Sequence, residues 1–194
     1  MTQILLVRHA EPDWERTGRD CDPSLTELGQ EQAMRLGAWL KSHQSVDVLS
    51  SSPLLRARQT AQIIGSFLNM STEYHDGLRD WPDWSRVIAG LKHPHERKVF
   101  ADPFAVTQRD SLPRVYTDFV DKIHRTLNNV VCGNPDRTIL IVSHGSVIGQ
   151  IFLNLTGSHN MPVCSDFTGV SRIFWDEKLW AIGYLNRLDH LQSC

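Results

Sequence analysis

The run Ile4-Leu5-Leu6-Val7 is apolar without interruption and stops abruptly at Arg8-His9. A strand with one wet face alternates polar and apolar residues, so a short uninterrupted run predicts a strand covered on both faces. Thr138-Ile139-Leu140-Ile141-Val142 repeats the pattern and stops at Ser143-His144-Gly145. Val46-Asp47-Val48-Leu49 predicts a shorter strand ending in Ser50-Ser51-Ser52. Between these runs the apolar positions adopt the helical period. Leu25, Leu28, Ala33, Leu36, Trp39 and Leu40 share one helix face. Leu54, Ala57, Ala61, Ile64 and Leu68 share another, with Pro53 suited to the first turn, where a missing N–H is no loss. Phe119, Ile123, Leu127 and Val130 mark a third helix, and Val147, Ile148, Ile151, Phe152 and Leu155 a fourth. Ser171 to Phe174 and Trp180 to Tyr184, split by Asp176-Glu177-Lys178, read as a hairpin closing one sheet edge. Strand alternating with helix predicts an α/β fold, a three-layer sandwich with a mostly parallel central sheet and helices on both faces. Two segments break the rhythm. Glu11 to Ser24 is turn-rich and long enough for a functional loop. Residues 76–112 hold Trp81, Pro82, Trp84, Gly90, Pro94 and Pro103 among many charges. They predict an irregular excursion over the cleft rather than a second domain, so residues 1–194 read as one domain.

With 194 residues and 41% hydrophobic composition, the chain can bury one sizeable core. A formal net charge of -2 and a pI near 6.5 give no general attraction to nucleic acid or an anionic membrane, so any anion must be held by a local pocket. No apolar stretch is long enough to cross a bilayer, and no basic-then-apolar leader precedes the first strand. A cytoplasmic location is expected. Cys21, Cys132, Cys164 and Cys194 lack paired spacing, so free thiols are expected rather than a zinc site or a redox dithiol.

Side chains that follow a buried strand emerge at the carboxyl rim of the sheet, where open α/β proteins bind ligands. Arg8-His9 and His144 therefore predict a site for an oxyanion, most simply phosphate. Further segments point the same way. After Arg8-His9-Ala10-Glu11 comes Asp22-Pro23-Ser24-Leu25-Thr26-Glu27-Leu28-Gly29 with Gln32-Ala33. Then follow Ser51-Ser52-Pro53-Leu54-Leu55-Arg56-Ala57-Arg58-Gln59-Thr60-Ala61 and Val142-Ser143-His144-Gly145. In this order the motifs resemble the histidine phosphatase superfamily, also called phosphoglycerate mutase-like, whose terminal pattern is similar to Leu185-Asn186-Arg187-Leu188-Asp189-His190-Leu191.

The resemblance implies a phosphoglycerate mutase-like fold in which neutral His9 attacks phosphorus to form a phosphohistidine. It also implies that Arg8, Arg56 and His144 hold the phosphate oxygens, with no metal and no other cofactor. Arginine suits that task because its charged planar fork can bond phosphate in two places. The family's proton donor is usually a glutamate in an L-x-E pattern after the third strand. Leu78-Arg79-Asp80 takes that place here, which makes Asp80 the candidate acid and Asp83 the second choice. Aspartate is one methylene shorter, so either the backbone approaches more closely or acid catalysis is weaker. Ala10 replaces the signature glycine, and Ala10-Glu11-Pro12-Asp13-Trp14-Glu15 replaces the common G-E-T-x-W-N. Inward-pointing Asp13 and Glu15 would disfavour heavily charged substrates.

Plainer roles are expected elsewhere. Arg58 is expected in solvent, Asp22 and Thr26 at a helix start, and Gln59 and Thr60 in local packing or capping. Trp81 and Trp84, with Arg79, Arg86 and Lys92, would either form a rim that selects the leaving group or fill core. His93-Pro94-His95-Glu96 lacks the i,i+4 spacing of helical metal ligands. Ser146 directly follows Gly145 and so lacks the G-x-S-x-G nucleophile elbow. The expected function is a phosphomonoester hydrolase acting on a small phosphorylated metabolite. Neither nucleic acid nor membrane is an expected partner, and homodimerisation is compatible with the chain. The alternatives are a phosphoglycerate mutase-like phosphotransferase, which the compact chain disfavours, and a catalytically weak phosphate-ligand sensor.

Overall fold

In the computed structural model, which describes residues 1–17, 22–81, 114–157 and 163–192, the apolar runs form the inner strands of one sheet. The strands are β1 (Thr2–Arg8), β2 (Val48–Ser51), β3 (Glu73–Tyr74), β4 (Thr138–Ser143), β5 (Val170–Trp175) and β6 (Trp180–Arg187). The helices are α1 (Trp14–Thr17), α2 (Glu27–His43), α3 (Leu55–Leu68), α4 (Arg114–Cys132) and α5 (Gly145–Thr156), with 3-10 turns at Asp76–Leu78 and Asp189–Leu191. The strand order is β3-β2-β4-β1-β5-β6. Pairings β1 with β4, β4 with β2, and β2 with β3 are parallel, while β5 and β6 form the antiparallel hairpin at the far edge.

Burial on both faces explains the uninterrupted apolar runs. Ile4 and Leu6 of β1, with Ile139 and Ile141 of β4, pack on one face against Ile123 and Leu127 of α4 and Ile151 and Phe152 of α5. The residues between them, Leu5, Val7, Leu140 and Val142, pack on the other face against Leu36 and Leu40 of α2 and Ala57, Ala61 and Ile64 of α3. Because successive strand side chains point to opposite faces, each of these runs supplies two cores.

The differences from the expected pattern are local. Leu25 is buried but precedes α2, and Leu28 is exposed at 52%. The helix starts later because Thr26 caps it, its hydroxyl accepting from the Gly29 N–H at 2.9 Å. Pro53 lies just outside α3, whose N-cap is Leu54. Edge strand β3 carries no apolar signal because both its residues are exposed. Cys132 and Cys164 are free and exposed, whereas Cys21 and Cys194 lie outside the described residues. Among the described residues, no helix is long and apolar enough to cross a membrane. The expected excursion is described only to Trp81; Asp83, Trp84, Arg86, Lys92 and His93-Pro94-His95-Glu96 lie beyond the described residues.

Candidate active site

Parallel register is what gathers the site. Arg8 pairs with Ser143 and Ser51 with Val142, so the carboxyl ends of three neighbouring strands stop side by side. The His9 N–H donates to the Ser143 carbonyl at 2.8 Å and the Ser52 N–H to the Val142 carbonyl at 2.9 Å. His9 and His144, far apart in sequence, consequently lie with ring centroids 5.1 Å apart. Helix α3 begins just past β2 and contributes Arg56 from its first turn. Asp80 enters from the segment after the Asp76–Leu78 turn. Gly77 lets that turn lie against α4, since a Cβ there would sit 2.0 Å from the Thr126 hydroxyl. The Ser143 hydroxyl donates to the Leu78 carbonyl at 2.9 Å, and the buried Trp81 ring meets Phe119 edge-on at 4.6 Å. Asp80 is thus presented between two anchors, and Trp81 fills core rather than lining a rim.

The polar neighbours of the two imidazoles indicate their tautomers. His9 Nδ1 lies 2.8 Å from the Ala10 carbonyl, which can only accept, so Nδ1 carries the proton. Nε2 is left with its lone pair, toward which the Arg56 Nε–H points at 3.3 Å. His144 Nε2 lies 2.8 Å from the Ser52 hydroxyl, which itself accepts from the Leu54 N–H at 3.3 Å. A hydroxyl can accept twice, so it is the Asp80 carboxylate, 3.5 Å from His144 Nδ1, that favours the proton on Nδ1 and leaves Nε2 to accept from Ser52. Burial, and then the neighbouring His144, Arg56 and Arg8, hold His9 well below the ordinary histidine value. Burial, and then Arg56, Arg8 and Arg79, do the same to His144.

Arg56 is buried, and two carboxylates compensate its charge. Its Nη2 bonds Asp80 Oδ2 at 2.6 Å, its Nη1 reaches Asp22 Oδ1 at 3.3 Å, and the Trp14 ring lies 5.2 Å from its Cζ. Arg8 donates from Nη1 to the Ser165 carbonyl at 2.6 Å and stacks over Phe167 at 4.2 Å. Arg8 Nε and His144 Nδ1 are buried donors without a hydrogen-bond partner. Buried donors of that kind cost free energy unless an acceptor arrives. The pocket therefore offers an anion two guanidinium groups and two imidazoles. Among the described residues no group of three or more His, Cys, Asp or Glu side chains gathers as metal ligands.

The five residues singled out from the sequence, Arg8, His9, Arg56, Asp80 and His144, come together here, whereas Arg58 is exposed. Asp22 departs from its expected role. It accepts the Leu55 N–H at 2.7 Å, so it caps α3 from a distant loop instead of starting its own helix. Gln59 and Thr60 also act at long range, accepting the N–H groups of Leu25 and Ala10 at 2.8 and 3.0 Å. Ala10 is not among the residues with positive φ, so nothing in its backbone demands the signature glycine.

One support carried no sequence signal. Thr168 is fully buried with φ of 59°, a costly conformation for a β-branched residue. Its N–H donates to the Arg8 carbonyl at 3.0 Å, and its hydroxyl bonds the Phe167 carbonyl at 2.7 Å and His190 Nε2 at 2.8 Å. The strand end carrying Arg8 is thereby tied to the C-terminal turn.

His9, His144 and His190 are all held neutral by burial, and burial takes His190 to about 4. Their unfolded counterparts take up a proton near pH 6.5. Stability present above that pH is therefore lost as the pH falls, because the unfolded chain binds protons first. His190 alone should cost about 2 kcal/mol between pH 7 and pH 5. Urea unfolding at the two pH values, with H190Q as the comparison, should show a flatter dependence in the variant. An identical slope would show that His190 is not buried as the neutral form.

A model of the histidine phosphatase superfamily, branch 1, matches residues 4–187. The chain is 28% identical over 202 residues to an uncharacterized phosphatase, PhoE, of Bacillus subtilis, covering 100% of this chain and 98% of that protein. It is 31% identical over 205 residues to phosphoserine phosphatase 1 of Hydrogenobacter thermophilus, covering 98% and 95% of the two chains. A mutant phosphoserine phosphatase of Entamoeba histolytica, solved in complex with phosphoserine, superposes with a TM-score of 0.78 at 25% identity, covering 99% of this chain and 100% of that one.

Proposed function

The chain belongs to branch 1 of the histidine phosphatase superfamily and is a phosphomonoester hydrolase, and from that premise we propose that it acts on a small phosphorylated metabolite through a phosphohistidine at His9. The observation that carries the reading is the His9 tautomer: Nδ1–H is tied to the Ala10 carbonyl and the Nε2 lone pair faces the cationic pocket.

In the first step that lone pair forms a bond to phosphorus as the bond to the leaving oxygen breaks. Asp80, protonated, gives its proton to that oxygen and the alcohol departs. The Nδ1–H bond to Ala10 persists and shares the positive charge of the phosphorylated ring. In the second step water attacks phosphorus and gives a proton to Asp80. The N–P bond breaks, its electron pair returns to Nε2, and phosphate leaves. Arg8, Arg56 and His144 Nδ1–H donate to the phosphoryl oxygens throughout, a task of positioning and charge stabilisation. A cytoplasmic location belongs to the same reading and is supported by the free thiols of Cys132 and Cys164.

Phosphate release across a panel of phosphomonoesters tests the proposal, with phosphoserine first because relatives are named for it. Release should be indifferent to EDTA and inhibited by vanadate, since the same donors fit a trigonal-bipyramidal oxyanion. Activity lost on chelation and restored by a divalent ion would overturn the mechanism. Isomer formation without phosphate release would make the chain a mutase, and phosphate binding without turnover a sensor.

A further inference from the structure

Asp80 is the residue by which this chain departs from the expected glutamate, and its carboxyl is not free to turn. Oδ1 accepts the Ser146 hydroxyl at 2.5 Å and the Trp81 N–H at 3.0 Å. Oδ2 faces the pocket, 2.6 Å from Arg56 Nη2 and 3.5 Å from His144 Nδ1. A carboxylate can only accept, so the direction of the serine bond is unambiguous. Oδ1 accepts from two donors that do not bind phosphate, whereas Oδ2 accepts from Arg56, a phosphate-binding group, so Oδ2 is the oxygen that substrate binding can free to carry the proton.

We propose that Ser146 is a positioning residue that locks the Asp80 carboxyl with Oδ2 toward the leaving oxygen. The inference rests on Asp80 being the general acid. Ser146 is well placed for this work. It follows His144 and Gly145 at the start of α5, so it ties the acid to the same strand end that carries the second histidine. When phosphate engages Arg56, Oδ2 is released from that guanidinium, while Ser146 and the Trp81 N–H continue to hold Oδ1.

The test compares an alkyl phosphate with p-nitrophenyl phosphate, whose leaving group departs readily as an anion. D80N should slow the alkyl ester by roughly a hundredfold, the ordinary scale of acid catalysis, and the aryl ester far less. S146A should lower kcat for the alkyl ester roughly tenfold, the effect of one lost orienting hydrogen bond, with KM unchanged and the aryl ester nearly unaffected. S146T, which keeps the hydroxyl, should restore the rate. The double variant S146A/D80N should be no slower than D80N, because both changes remove one function. If S146A unfolds, the near-isosteric S146C, whose thiol is only a weak donor, serves in its place, with melting temperature as the control. A selective D80N with an S146A that slows both esters equally, or neither, would overturn the positioning role alone. A D80N without selectivity would remove Asp80 as the acid, and the Ser146 proposal with it.

Discussion

H9A is expected to abolish turnover, by on the order of 10^4-fold or more, since losing a nucleophile removes the chemical route itself. It should also abolish the phosphoenzyme. Brief mixing of the parent enzyme with labelled substrate, followed by quenching, should give an acid-labile, base-stable phosphoprotein, and H9A should give none. The geometry explains why no neighbour substitutes. His144 lies 5.1 Å away centroid to centroid, but its Nε2 is occupied by Ser52 and its Nδ1 carries a proton. Of the two imidazoles, His9 is the one that presents a lone pair to the pocket, kept free of a proton by burial and by the cations around it. Undiminished turnover in H9A would refute the phosphohistidine.

R56A and R8A should each lose on the order of a hundredfold or more in kcat, because removing a preorganised donor commonly costs about 3 kcal/mol of transition-state stabilisation. R58A should lose almost nothing, since Arg58 lies in solvent on the same helix. The two large effects should differ in kind. Arg56 is buried between Asp22 and Asp80, so its removal leaves two carboxylates without their counter-charge and should also lower the melting temperature. Arg8 is held by the Ser165 carbonyl and the Phe167 ring, so R8A should be the cleaner catalytic lesion. R56K keeps the charge without the fork and should recover part of the stability but little of the rate. Equal, mild effects at positions 8, 56 and 58 would show that the phosphate is held elsewhere.

The sheet was legible because its evidence is local. The run from Ile4 to Val7 has no polar break, and the model accounts for it through two cores, one on each face. The placement of His9 and His144 at strand ends was legible for the same reason. Their meeting needed one further step: alternating strand and helix implied strands that run parallel, but that β4 lies directly beside β1 was decided by the tertiary structure. Where expectation and structure parted, the packing of other elements had decided. Leu28 reads as part of the apolar face of α2 yet lies in solvent, because the face that packs runs through Gly29, Ala33, Leu36 and Leu40 and residue 28 turns away from it. Asp22 reads as a helix starter, but its carboxylate serves Leu55 and Arg56 across the chain.

Apolar runs, helical period and the residues that follow a strand are properties of neighbours in the chain, so the α/β layers and the strand-end groups Arg8, His9 and His144 could be read in order, whereas Arg56 was reached through the family resemblance of its motif. The supports could not. Phe167 under Arg8, Thr168 bonded to His190, and Ser146 bonded to Asp80 join segments that meet only at the carboxyl rim of the sheet. Spacing encodes which face a side chain takes on its own element, while hydrogen bonds and ring contacts depend on distances between loops of different elements, and those are set when the layers pack.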